Sequence, residues 1–287
     1  MSTKGVAILT DSIACLTREM MERYEIRTVS AKIMVNDHVY REYLDIDASE
    51  AYGLLEKDPE RFSTSAASPA DYLEAYRELS TRAHSILCIT ISSKLSMFHS
   101  AALLAKEYAS EEIPETTIRV LDSGTAAAAE GLIVLAAARA AEEGKSLAEV
   151  ARAAEVARDK VGLLLALGTV RHAYRSGRIP KVAARVGSLL SVKPILTISG
   201  GAVQFVGIAR TKQRGVDRVL HMMGEKLRGN PVRAAVVHAD ALEEAERFKE
   251  RVSSGFDCVE VWTSEFSPVM GYATGRGLVG VAFCAEM

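Results

Sequence analysis

The residues best placed to do chemistry are hydroxyls set behind apolar runs, and one arginine in a turn. Ser92, Ser93 and Ser96 follow the β-branched run 86–91 and precede the helix-forming stretch Ala101-Ala102-Leu103-Leu104-Ala105-Lys106. That order reads as a buried strand, a hydroxyl-rich turn and a helix start. A helix N-terminus leaves four amide N–H groups without partners and carries roughly half a positive charge. Serines placed there either cap those amides or present them to an oxyanion, a carboxylate or a phosphate. Thr10-Asp11-Ser12 and Asp122-Ser123-Gly124 repeat the pattern, and Thr64 and Ser65 could join from a loop. Three such turns at strand carboxyl ends would share one rim of one sheet, where open α/β folds bind ligands. They equally fit ordinary caps and Asx-turns. Arg178 follows Ser176-Gly177, and arginine suits a bidentate grip on a carboxylate or phosphate. The neighbouring Arg171, Arg175, Lys181, Arg185, Lys193, Arg210 and Lys212 read as solvated or ion-paired charge.

Other chemistries lack support. There is no GxxxxGK[ST] loop, and no GxGxxG follows the first strand. No HExxH or His/Cys cluster points to a metal, so neither a metal nor a cofactor is expected. Ser93, His99 or His172, and Asp11 or Asp122 could be assembled into a triad on paper, but no GxSxG elbow supports one.

The elements that must position these residues alternate. Strands are expected at 6–9, 86–91 and 117–121, with helices at 16–24, 48–57, 70–81, 126–143 and 146–158. Ser68-Pro69 is a strong helix start and Gly144 a natural helix stop. Residues 28–43 read as a hairpin around Asn36-Asp37, and 62–69 as a polar loop. This half predicts a mostly parallel sheet. From Val161 the pattern changes: strands at 162–167, 192–199, 203–209, 233–239, 258–263 and 278–284 include a hairpin at Gly200-Gly201. Helices are expected at 181–189, 214–227 and 242–252. The fold class is therefore α/β in two domains: residues 1–160, and residues 161–287 as an α+β domain with a mixed sheet.

Length and composition agree. A chain of 287 residues favours two domains. A net charge of −2 gives no footprint for nucleic acid or an anionic membrane, and one tryptophan with 6% aromatics argues against a base-stacking platform. Four scattered cysteines, with no CxxC, read as free thiols in a reducing cytoplasm. No apolar run is long enough to cross a membrane, so stable insertion is not expected.

Several segments together resemble one family. They are Ile8-Leu9-Thr10-Asp11-Ser12, Thr64-Ser65-Ala66-Ala67-Ser68-Pro69, Ser92-Ser93-Lys94-Leu95-Ser96, Ser176-Gly177-Arg178-Ile179 and Leu189-Leu190-Ser191-Val192-Lys193-Pro194-Ile195-Leu196, with Arg210-Thr211 and Ser267-Pro268-Val269. In order and spacing they are similar to the DegV family of fatty-acid-binding proteins. The resemblance implies two α/β domains holding a long-chain fatty acid in an apolar interdomain tunnel. Thr64, Ser65, Ser93 or Ser96, and Arg178 would surround its carboxylate. It also implies a separate ATP-binding fatty-acid kinase subunit as partner, this chain being the acyl carrier and no enzyme itself. One departure stands near the C-terminus. Where the family commonly reads Gly-x-His-x-Gly-Pro-Gly, this chain has Gly271-Tyr272-Ala273-Thr274-Gly275-Arg276-Gly277. Ala273 cannot donate a hydrogen bond or titrate; Thr274 and Arg276 remain as candidates there, Arg276 with a permanent charge. Two other readings stay open: an enzyme using the same Ser/Thr/Asp/Arg rim for phosphoryl or acyl transfer, and a binding module for a phosphorylated small molecule.

Overall fold

The computed structural model describes residues 4–168, 176–179 and 192–286. The expected helix 181–189 and Arg171, His172, Arg175, Lys181 and Arg185 lie outside the described residues.

The N-terminal half is built on a parallel sheet ordered β2-β1-β6-β7: β1 (Lys4–Asp11), β2 (Arg27–Val29), β6 (Ala83–Thr90) and β7 (Thr117–Asp122). Alternation along β6 sends its two faces to different helices. Ile86 and Cys88 pack with α3 (Pro69–Ser80) and α4 (Phe98–Glu112), through Tyr72, Tyr76, Phe98 and Ala102. Leu87 and Ile89 pack with α5 (Ala127–Glu142) and α6 (Leu147–Lys160). The strong start of α3 is realised as a capping box: Asp71 N donates to Ser68 Oγ, Ser68 N donates to the Asp71 carboxylate, and Pro69 fills the first helical position.

The C-terminal sheet is ordered β10-β9-β8-β13-β11-β12: β8 (Val161–Ala166), β9 (Lys193–Ser199), β10 (Ala202–Ala209), β11 (Val232–His238), β12 (Cys258–Glu265) and β13 (Val279–Ala285). Only β11 and β12 pair parallel; the other neighbours are antiparallel, so the sheet is mixed. Leu164 and Ala166 share a core with α7 (Lys212–Leu227) and α8 (Leu242–Gly255). Leu163 and Leu165 face the other way, into a core shared with Ala128, Ala129 and Leu132 of α5. Helix α5 therefore lies between the two sheets, which is why it is apolar on nearly every face.

Two expectations change. Residues 28–35 are not one strand: Val29 ends β2 in the parallel sheet, while β3 (Lys32–Val35) forms a separate antiparallel sheet with β4 (His38–Arg41). The third strand of that small sheet, β5 (Phe62–Ser65), replaces the polar loop that the sequence predicts at 62–69; it pairs Phe62 with Val35 and Thr64 with Ile33. Three short helices complete the frame: α1 (Arg18–Tyr24), α2 (Ala48–Lys57) and α9 (Pro268–Thr274). All four cysteines are free, and no helix among the described residues is long and apolar enough to cross a membrane.

Candidate functional site

A cavity of about 600 Å³ lies between the two halves, within the roughly 300–1,000 Å³ typical of small-ligand sites. Its inner wall is apolar and buried. Ile13, Ile91, Phe98 and Ala126 come from the parallel-sheet side, and Leu165, Leu196 and Phe266 from the mixed-sheet side. Helix α9 forms another stretch of wall through Val269, Met270, Tyr272, Ala273 and Thr274, with Tyr272 stacked on Phe62 at 5.9 Å. Met97 and Leu104 also line it and are 66% and 38% exposed, which places the mouth at the start of α4.

The polar lining is sparse: Thr64 and Ser65 at the end of β5, Ser96 and Ser100 at the start of α4, and Ser176, Arg178, Thr197 and Thr274. Several of these hydroxyls are already engaged. Ser65 Oγ donates to Ala66 O at 3.2 Å, Thr197 Oγ1 to Leu163 O at 2.7 Å, and Thr274 Oγ1 to Met270 O one turn back in α9. The Thr64 and Ser96 hydroxyls bond to none of the described residues. The N-cap of α4 is Met97, with no side-chain cap, so the amides of the first turn are left for another acceptor. Arg178 is exposed; Nε donates to Leu95 O at 3.3 Å and Nη1 to Ser176 O at 2.7 Å. The cavity thus has hydroxyls, a helix N-terminus and one guanidinium around an apolar interior. Its described lining holds no carboxylate, imidazole or thiol. Such an arrangement can bind and orient an anion with an apolar tail.

The candidates from the sequence separate into two groups. Thr64, Ser65, Ser96, Arg178, Ala273 and Thr274 line the cavity. Ser93 does not: it is exposed, and its amide donates to Asp122 Oδ2 at 3.2 Å. Arg276 does not either, because Asp240 and Glu56 take its guanidinium in ion pairs. Its charge is neutralised away from the lining. The other hydroxyl turns do structural work. Asp11 accepts from the amides of Ile13 and Ile91, and burial pushes its carboxyl up to about 7. Asp122 and Ser123 close their own turn. Ser92 is buried and donates to Gly201 O at 2.8 Å, tying the β9–β10 turn to the parallel sheet. No serine caps α4 by side chain, so both readings of Ser93 lose their basis.

Sequence reasoning missed Ser100, Ser176 and Thr197. Ser100 was within reach of it, lying in the first turn of α4 shortly after Ser96. Thr197 comes from a strand whose face is set only by pairing with β8 and β10.

The family model described as "Uncharacterised protein, DegV family" matches residues 5–286. A DegV domain-containing protein of Clostridium perfringens is 32% identical over 284 residues, covering 98% of this chain and 99% of the relative. One from Streptomyces coelicolor is 33% identical over 285 residues, covering 97% and 98%. Among solved structures, a DegV family protein from Thermus thermophilus, described by its fatty acid binding, superposes with a TM-score of 0.89 at 27% identity. It covers 98% of this chain and all of its own. DegV of Bacillus subtilis, described as a fatty acid binding protein, superposes at 0.87 with 28% identity, covering 99% of this chain and all of its own. With a match running from β1 to the end of β13 and a common fold throughout, the chain belongs to the DegV family.

Proposed function

We propose that this protein binds a long-chain fatty acid in the interdomain cavity and has no catalysis of its own. The acyl chain occupies the apolar interior. The carboxylate sits at the mouth, among the Thr64 and Ser96 hydroxyls, the Arg178 guanidinium and the first turn of α4. The protein then carries the acid, or presents it to a separate ATP-binding kinase subunit, in the cytoplasm. The observation that supports this reading is an apolar-walled cavity between the halves, lined by the unengaged hydroxyls of Thr64 and Ser96 and by the first turn of α4, which has no side-chain cap. The fatty-acid binding of the Thermus and Bacillus proteins supports it. Ser93, Arg276 and the engaged hydroxyl of Thr274 have no part in it.

The energetics agree. Burial of a chain contributes about 0.8 kcal/mol per CH₂, so the tail supplies most of the affinity and the mouth sets orientation. Two further methylenes should tighten binding by about fifteenfold until the cavity is full. Mass spectrometry of lipid extracted from purified protein, followed by titration with myristate, palmitate and stearate, tests the proposal. A co-purifying fatty acid and a steep dependence on chain length are expected. Lipid-free protein that takes up none of the three acids would overturn it.

A further inference from the structure

Glu42 is 1% exposed, does not line the cavity, and has no part in the binding just described. It follows β4 and meets three donors. Ser12 Oγ donates to Oε2 at 2.5 Å, Ser267 Oγ to Oε1 at 2.5 Å, and the Val269 amide to Oε1 at 3.2 Å. Ser12 Oγ already accepts from the Ala31 amide at 2.9 Å, which directs its own hydrogen to Glu42. Ser12 follows β1; Ser267 and Val269 begin α9. The carboxylate therefore joins the two halves at the N-terminus of a cavity-wall helix.

Helix α9 needs such a tie. It spans seven residues and has no side-chain cap of its own, and helices that short do not persist without tertiary support. Glu42 supplies the missing acceptor from 225 and 227 residues away in the chain. On its other side α9 is pressed against α2, where a Cβ at Gly271 would stand 2.3 Å from the Tyr52 ring. The Tyr52 hydroxyl holds Phe266 O at 2.8 Å.

We propose that Glu42 is a positioning residue for the cavity: it pins α9 to the N-terminal half, and release of the pin opens that wall to a lipid. The purpose of the opening rests on the lipid-binding reading, while the pin belongs to the protein without ligand. Glu42→Ala leaves Ser12, Ser267 and Val269 without their acceptor. Glu42→Gln keeps an oxygen for Ser267 and Val269 and loses only the Ser12 side.

Hydrogen exchange on delipidated full-length protein tests the pin, read at Gly271 and Gly275, whose amides close α9, against amides of β6. Glu42→Ala should speed exchange in α9 by about tenfold or more with β6 unchanged, and Glu42→Gln should restore most of the protection. If Glu42→Ala does not fold, Ser267→Ala reads the same pin and should speed α9 exchange in the same direction. Unchanged α9 exchange, an equal rise in β6, or equal loosening by Ala and Gln would overturn the pin. Palmitate release is then timed. Faster release from the loosened variants supports the opening, and an unchanged rate removes it. Protein that loosens as expected yet binds no palmitate leaves the pin standing and removes the lipid reading instead.

Discussion

Ser93 and Ser96 sit three positions apart in one turn and have different fates. Ser96 lines the cavity with its hydroxyl unengaged, whereas Ser93 is exposed and contributes only its amide, to Asp122. Composition placed both at the same rim; the turn geometry between β6 and α4 that separates them depends on Ser92 bonding to Gly201, 109 residues on. Thr64 and Arg178 line the cavity, and short-range patterns, Thr64-Ser65 and Ser176-Gly177-Arg178, single them out in the sequence. The partners of Arg276, Asp240 and Glu56, were not, since one of them lies 220 residues away. The distinction is testable. Hydrogen bonds to a charged group contribute about 1.5–3 kcal/mol each, so Thr64→Ala with Ser96→Ala should weaken palmitate binding by at least about tenfold, measured by equilibrium titration. Ser93→Ala should change it by less than about 0.5 kcal/mol, as for other exposed substitutions. Equal effects of Ser93→Ala and Ser96→Ala would refute this assignment of the mouth.

Among the elements, those with strong local signals were read well. α3 has its Ser68-Pro69 start, α5 its Ala-rich composition and Gly144 stop, and β6 its β-branched run. β5 was not legible, because Phe-Ser-Thr-Ser has one apolar residue and owes its strand form to pairing with β3. The β9–β10 turn shows how an element can be predicted and its role still missed. Gly200-Gly201 was expected as a tight turn, yet its carbonyls also receive Lys94 Nζ at 2.7 Å and Ser92 Oγ at 2.8 Å. The hairpin, whose Ile198 and Val203 line the cavity, is thereby fastened to the parallel-sheet half. Gly201 has φ of +81°, and a Cβ there would stand 2.8 Å from Ser92 Oγ. Gly201→Ala should therefore lose about 1–3 kcal/mol, from the left-handed backbone and the displaced serine. A melting temperature several degrees lower, with faster palmitate release, is the expected result. An unchanged melting curve would mean that the turn is free of Ser92 in solution.

At the scale of the whole molecule, the two-half α/β architecture follows from the change of pattern at Val161. The packing of α5 against both sheets does not follow, because a helix apolar on nearly every face says that it is buried without saying between what. That packing gathers several acids away from water. Burial pushes Asp11, Glu42 and Glu265 each up to about 7, with smaller repulsive contributions from Glu42 on Asp11 and from Asp47 on Glu265. In the unfolded chain such groups titrate near 4. Between about pH 4 and pH 7 the folded protein therefore keeps protons that the unfolded chain releases. Stability from this source is complete below that window and is lost as the pH rises through 7. His238 acts in the opposite sense: burial lowers its basicity, so the unfolded chain gains the proton first as the pH falls through about 6.5. Exposed acids held low by their partners, such as Asp45 at about 2, act only in stronger acid. Glu130, buried in α5, is pushed up in the same way, and these four carboxyls outweigh one imidazole. The melting temperature of delipidated protein should thus rise by several degrees from about pH 8 to about pH 5.5, read by scanning calorimetry. Glu42→Gln, which cannot ionise, should flatten part of that slope. A melting temperature that falls over the same interval, or a slope untouched by the substitution, would show that these carboxyls are ionised and paired in the folded protein, and that the interior between the two sheets is wetter than its packing implies.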